Sequence, residues 1–105
     1  MLYNVWIDDM RKSFHKDNLV YFTNAGDAIK WLLSDDEFRK DTDSFNIYLD
    51  HDLGSANRKS GYDVAKIIVE YGLPLNRFHI LSMNPVGANN IRQLLIHYGY
   101  KEINY

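Results

Sequence analysis

The sequence predicts an α/β domain built on a doubly wound parallel sheet of strand order 2-1-3-4-5. Three observations carry that expectation. Short apolar runs rich in β-prone residues alternate with segments of helical period. Two of those runs stop abruptly in acid, at Asp8-Asp9 and at Asp50-His51-Asp52. The chain has 105 residues, enough for one core, so residues 1–105 are read as a single domain.

The elements follow in order. Leu2 to Ile7 is a buried strand, and Met10 to Asn18 is a polar connector to a second strand, Leu19 to Phe22. Nine connector residues would form a helix only about 14 Å long, too short to retrace a strand of roughly 17 Å and turn twice. As open chain they reach about 30 Å. The first helix is therefore expected to be reduced to a loop. Asn24 caps the next helix, with Asp27 three residues on and Ala28, Trp31 and Leu32 as its apolar stripe. Ser34 to Ser44 is charged and has only Phe38 to bury, which predicts a frayed helix end and a loop.

Phe45 to Leu49 is the third strand, and a turn-rich loop from Gly54 to Ser60 follows it. Ser60 and Asp63 are spaced as a capping box for a helix from Gly61 to Tyr71. Its expected buried face is Val64, Ile67, Ile68 and Tyr71, and Gly72 ends it before Pro74. Phe78 to Leu81 is the fourth strand. Asn84-Pro85 opens a helix whose stripe is Ile91, Leu94, Leu95 and Tyr98, with Gly99 as its stop. Lys101 to Tyr105 forms a last short strand, and no closing helix is expected.

Right-handed crossovers place the three helices on one face of this sheet. The other face is then thinly covered, and Tyr3, Val5, Tyr48 and Ile103 are expected to find no helix to pack on. An exposed apolar patch of several hundred Å² marks an interface. A homodimer, or a protein partner, is therefore expected through that face, with the Met10 to Asn18 loop as partial cover.

Composition narrows the function classes. Apolar residues make up 46% and charged residues 25%, an ordinary globular mix. A net charge of −2 argues against bulk nucleic-acid binding or an anionic membrane surface, while leaving room for one local phosphate pocket. There is no cysteine, which excludes disulfides, thiolate catalysis and zinc–thiolate sites. The first residues lack a basic region, and no stretch approaches the roughly 18 apolar residues of a membrane span. A cytoplasmic location is expected.

In an open parallel sheet, ligands bind outside the carboxyl ends of the strands, beside the point where strand order reverses. Asp8, Asp9 and Asp50 should meet there. Three carboxylates in one pocket repel one another, and a hard divalent cation such as Mg²⁺ or Mn²⁺ relieves that repulsion through oxygen ligands. The alternative for an isolated Asp-Asp pair is that it ends a strand and caps a turn. A second acidic group ending the neighbouring strand favours the metal.

Asp50 is a nucleophile or a metal ligand. His51, between two acids, is either a general acid or a residue that shapes the loop through Asp52 and backbone. Asp52 binds metal, orients a base or caps the Gly54 turn. Arg11 offers a fork suited to phosphate, or a salt bridge to a nearby acid. Ser82, Asn84, Gly87 and Ala88 span a strand-to-helix turn whose helix-start N–H groups suit an anion, although capping alone explains Asn84 and Pro85. Arg58 and Lys59 are solvated or gate a nucleotide. His15, His79 and His97 have no ligand spacing and are assigned no metal. The eight tyrosines are read as a partly exposed amphipathic surface.

Asp8-Asp9, Asp50 and Ser82, each after a strand, resemble the acidic pocket of response-regulator receiver domains. More closely, IDDMR (7–11), Thr23 with Asp27-Ala28, LDHDLG (49–54), SGYDVA (60–65) and SMNPVG (82–87) resemble the cyclic-phosphate processing receiver (cREC) family. The motifs run in order over nearly the whole chain. The resemblance implies a flavodoxin- or receiver-like fold, in this family without the first helix, and a role in handling cyclic phosphates on nucleotides or cleaved RNA ends. Two departures stand out. Receivers carry a lysine at the end of strand five, whereas Lys101 stands at the front of the last strand here. Many members have a histidine just before the serine of strand four, where this chain has Leu81.

The leading expectation is metal-dependent binding and hydrolysis of a cyclic phosphate ester. The rival is a non-catalytic receiver-like module that binds a protein or nucleotide, such as a phage or mobile-element product that interferes with a host pathway. A true phospho-acceptor is disfavoured by the missing lysine.

Overall fold

The four longer strands are short runs rich in apolar residues, and the first two helices each begin at a side-chain cap. The computed structural model describes residues 1–8, 17–34, 38, 41–50, 60–81 and 85–103. Their order is β1 (Leu2–Ile7), β2 (Leu19–Phe22), α1 (Ala25–Leu33), β3 (Ser44–Leu49), α2 (Gly61–Tyr71), β4 (Leu75–Ile80), α3 (Pro85–His97) and β5 (Lys101–Glu102). All four strand pairings are parallel, and the sheet order is β2-β1-β3-β4-β5. This is the doubly wound receiver-like fold that the sequence predicts.

The caps form as spaced. Asn24 Oδ1 accepts from the Asp27 N–H at 2.8 Å and opens α1. Ser60 Oγ accepts from the Tyr62 N–H at 3.2 Å, while the Ser60 N–H donates to Asp63 Oδ2 at 2.7 Å. These reciprocal bonds satisfy amides that an uncapped helix start would leave unpaired. Gly72 ends α2 at φ +58°, a left-handed conformation that a Cβ would strain.

The three helices share one face of the sheet. Ala25, Ala28 and Leu32 of α1, Val64, Ala65 and Ile68 of α2, and Ala88, Ile91 and Leu95 of α3 form one core. They pack on Val5, Ile7, Phe45, Ile47, Leu49, Phe78 and Ile80 from the strands. Phe38 is fully buried and packs edge-on to Tyr3 and Phe45 and flat on Trp31, so the charged segment after α1 contributes one anchor to this core.

Several expectations need correction. Tyr3 and Val5 do not face an uncovered surface: Val5 is fully buried in the helix-side core, and Tyr3 stacks edge-on against Trp31 at 5.2 Å. Strand alternation puts odd-numbered β1 residues on the helix side and Trp6 on the other. Tyr71 and Tyr98 are 56% and 58% exposed, not core. Tyr71 is the last residue of α2 and Tyr98 lies just past α3, where the helical stripe no longer faces the sheet. Strand β4 starts at Leu75, directly after Pro74, rather than at Phe78. Lys101 opens β5, as the 101–105 reading has it, but the strand ends at Glu102. Residues 9–16, the greater part of the β1–β2 connector, lie outside the described residues. No helix among the described residues is long and apolar enough to cross a membrane.

Candidate functional site

Strands β1, β3 and β4 end level with one another. Ile7 pairs with Leu49, and Leu49 with Ile80, so Asp8, Asp50 and Leu81 stand one step beyond on three adjacent strands. The ladder continues through them. The Asp8 N–H donates to the Phe22 carbonyl at 3.1 Å, that of Asp50 to Ile7 at 3.1 Å, and that of Leu81 to Leu49 at 2.9 Å. Adjacent strands run about 4.8 Å apart, so the backbones of Asp8 and Asp50 are near neighbours at the carboxyl edge.

Burial separates the two acids. Asp8 is 3% exposed, the one buried charged residue among those described, and Asp50 is half-buried. A carboxylate is rarely so enclosed unless hydrogen bonds or a counter-charge compensate it. The Tyr21 hydroxyl donates to the Asp8 carbonyl oxygen at 2.6 Å and fixes the backbone at this corner. No sequence motif assigns Tyr21 a role. The available signal is the alternation in β2, which places Tyr21 level with Trp6 and brings its hydroxyl within reach of the next β1 residue. Nor are the tyrosines only a surface set. Tyr48 is 3% exposed, and the half-buried Tyr100 donates to the Leu73 carbonyl at 3.1 Å.

Of the other predicted site residues, Gly87 is buried in the first turn of α3, beside Ala88 in the core. Asp9, Arg11, His51, Asp52, Ser82 and Asn84 lie outside the described residues, as do His15, Arg58 and Lys59. Among the described residues, no group of three or more His, Asp or Glu could hold a metal ion. The donor set at the described edge is two carboxylates, oxygen ligands that fit a hard divalent cation.

Among the described residues, His79, Arg92 and Lys101 lie back from this edge. His79 lies edge-on to Tyr48 at 6.3 Å between ring centroids. Burial lowers its pKa from the ordinary 6.5, outweighing the opposing pull of Glu102. Arg92 Nε donates to both oxygens of Glu102, at 2.9 and 3.1 Å, and this bond raises the guanidinium pKa further. Lys101 pairs in register with Arg77, four residues before Leu81, so its backbone lies about 13 Å back from the acidic edge along the strand direction.

Comparison with curated proteins and with solved structures gave no match. The family model described as "cyclic-phosphate processing receiver domain" matches residues 3–97, from the second residue of β1 to the last of α3. With the strand order and the acidic edge already described, this match shows that the chain belongs to the cyclic-phosphate processing receiver domain family.

Proposed function

We propose that the carboxyl edge of the sheet binds a divalent cation and hydrolyses a cyclic phosphate ester, on a nucleotide derivative or an RNA end. The observation that carries the reading is the pair of acids ending neighbouring strands, one of them almost fully enclosed. Asp8, Asp9 and Asp50 would hold Mg²⁺ or Mn²⁺. A bound cation of this kind withdraws charge from the phosphoryl oxygens.

The chain's own residues supply the rest. Arg11, with Ser82, Asn84 and the Gly87 amide at the start of α3, binds and orients the anionic phosphate. A water oxygen forms the new bond to phosphorus as the ring P–O bond breaks. His51 gives its proton to the departing ring oxygen, and Asp52 takes the proton that water loses. In a variant of this scheme Asp50 is itself the nucleophile, and water then cleaves the acyl phosphate.

A second reading is a non-catalytic module that binds the same phosphate ligand. It is favoured by Leu81, which offers no titratable group beside Asp50, at the position where many family members carry histidine. Phospho-acceptor signalling is disfavoured, because Lys101 opens β5 far from the acidic edge.

The test has two arms. Mg²⁺ at a hundredfold excess over its Kd should stabilise the wild type by about 2.7 kcal/mol, a rise in Tm of roughly 10 °C. Asp50→Asn should fold normally and lose most of that rise. An equal rise in both proteins would sink the metal site. Incubation with 2′,3′-cyclic nucleotides and metal should add one water to the ligand's mass. Binding without that gain would leave the non-catalytic module standing.

A further inference from the structure

A second recess lies outside the acidic edge, between α2 and α3. It is an open groove of about 740 Å³ lined by Ser60, Tyr62, Asn90, Gln93, Leu94 and His97. That size falls in the range of small-molecule sites. Asn90, Gln93, Leu94 and His97 are spaced i, i+3, i+4, i+7 and form one stripe of α3. Where one helix lies beside another, such a stripe is ordinarily apolar. Here three of its four residues are polar and exposed, while Ile91 and Leu95 on the adjoining stripe are fully buried against the sheet.

The groove has a fixed apolar floor and a hydrogen-bonding rim. Tyr62 and Leu94 are half-buried and pack against the core, so their positions are held from beneath. Asn90 and Gln93, one turn apart, each bring an amide donor and a carbonyl acceptor, and His97 adds an imidazole. None of the lining residues among those described is acidic, lysine or arginine. The ligand group suited to this lining is uncharged, flat and edged with both donors and acceptors. A nucleobase meets all three requirements, and asparagine or glutamine can satisfy the paired donor and acceptor of an adenine edge.

Position supports the same ligand. Helices α2 and α3 return antiparallel to the strands, so the cap at Ser60 and the start of α3 stand at the carboxyl end of the sheet with Asp8 and Asp50. Asn90 lies five residues into α3, about 8 Å along its axis. We infer that the α2–α3 groove is a base-binding subsite for the nucleotide whose cyclic phosphate occupies the acidic edge. The inference rests on the cyclic-phosphate reading and adds the part of the substrate that confers selectivity.

The test compares two ligands on the full chain with Mg²⁺, by calorimetry. One is 2′,3′-cyclic AMP, and the other is glycerol 1,2-cyclic phosphate, which carries the same cyclic ester without a base. The wild type should bind the nucleotide at least about tenfold more tightly, as one or two added hydrogen bonds and ring contact imply. The Asn90→Ala/Gln93→Ala variant, altered at two exposed positions, should fold normally and lose that preference. Equal affinity for both ligands in the wild type would overturn the groove while leaving the phosphate reading intact. A preference that survives in the double variant would also overturn it. Failure of both ligands to bind would remove the phosphate reading and the groove together.

Discussion

The two faces of the sheet solve the same burial problem with different chemistry. On the helix side, Val5, Ile7, Phe45, Ile47, Leu49, Phe78 and Ile80 meet three helices in a continuous apolar core. On the opposite side the residues fall into rows that cross the strands. Asn46 Nδ2 donates to Asn4 Oδ1 at 3.2 Å, and Asn76 Nδ2 donates to Asn46 Oδ1 at 2.9 Å, linking β4, β3 and β1 by side-chain amides. One step towards the carboxyl edge, Tyr21, Trp6, Tyr48 and His79 lie level on four adjacent strands. Trp6 and Tyr48 stack at 4.9 Å and are 2% and 3% exposed.

Among the described residues, the two faces satisfy their side chains in different ways. Parallel sheets are ordinarily covered by helices on both faces, and their strands then read as continuous apolar runs. Here β1 and β3 place asparagine on the second face, so part of that surface is satisfied by hydrogen bonds between strands rather than by an aliphatic layer.

The largest break in this comparison should come from the helix side. Phe78→Ala removes a fully buried ring and should cost about 3–5 kcal/mol, read from the urea midpoint at unchanged slope. A loss below about 1 kcal/mol would mean that the core is less dependent on this face than the burial of Phe78 implies. A smaller effect is expected from the asparagine row. Asn46→Ala removes two side-chain bonds at a half-buried position and should cost about 1 kcal/mol. A gain in stability would show that the amide row is dispensable and that the second face prefers apolar residues.

The smallest effect is a pH dependence at His79. Burial lowers its folded-state pKa below 6.5, so the unfolded chain takes up this proton first as the medium is acidified. Stability is complete above pH 6.5 and is lost as pH falls through the folded value. His79→Gln should therefore lose less stability than wild type between about pH 7 and pH 5, measured by chemical denaturation at each pH. Parallel profiles for the two proteins would remove His79 as the source.

Most of the elements are legible in the sequence because the rules that set them are local. Caps and stops are short-range chemistry: Asn24 with Asp27, Ser60 with Asp63, and Gly72 before Pro74 act within four residues, and each forms as spaced. The acids at 8 and 50 can be placed together because strand order follows from the alternation of elements and from crossover handedness. Tyr71 and Tyr98 mislead because a helical stripe can be extended along the sequence past the point where the helix stops facing the sheet.

What the chain alone determined was therefore the list of elements, their order in the sheet, and an acidic edge where two strands end. Those follow from contacts close in sequence and from the twist of L-residue backbones. Folding itself settled the features that depend on residues far apart in the chain. It set the register that levels Asp8 with Asp50, the shift between β3 and β4 at Phe45 and Asn46, the burial of Asp8, and the bond from the Tyr21 hydroxyl to the Asp8 carbonyl. It also opened the polar groove between α2 and α3. A side chain's neighbours across a sheet or a helix pair are chosen by packing, and no spacing along one segment records that choice.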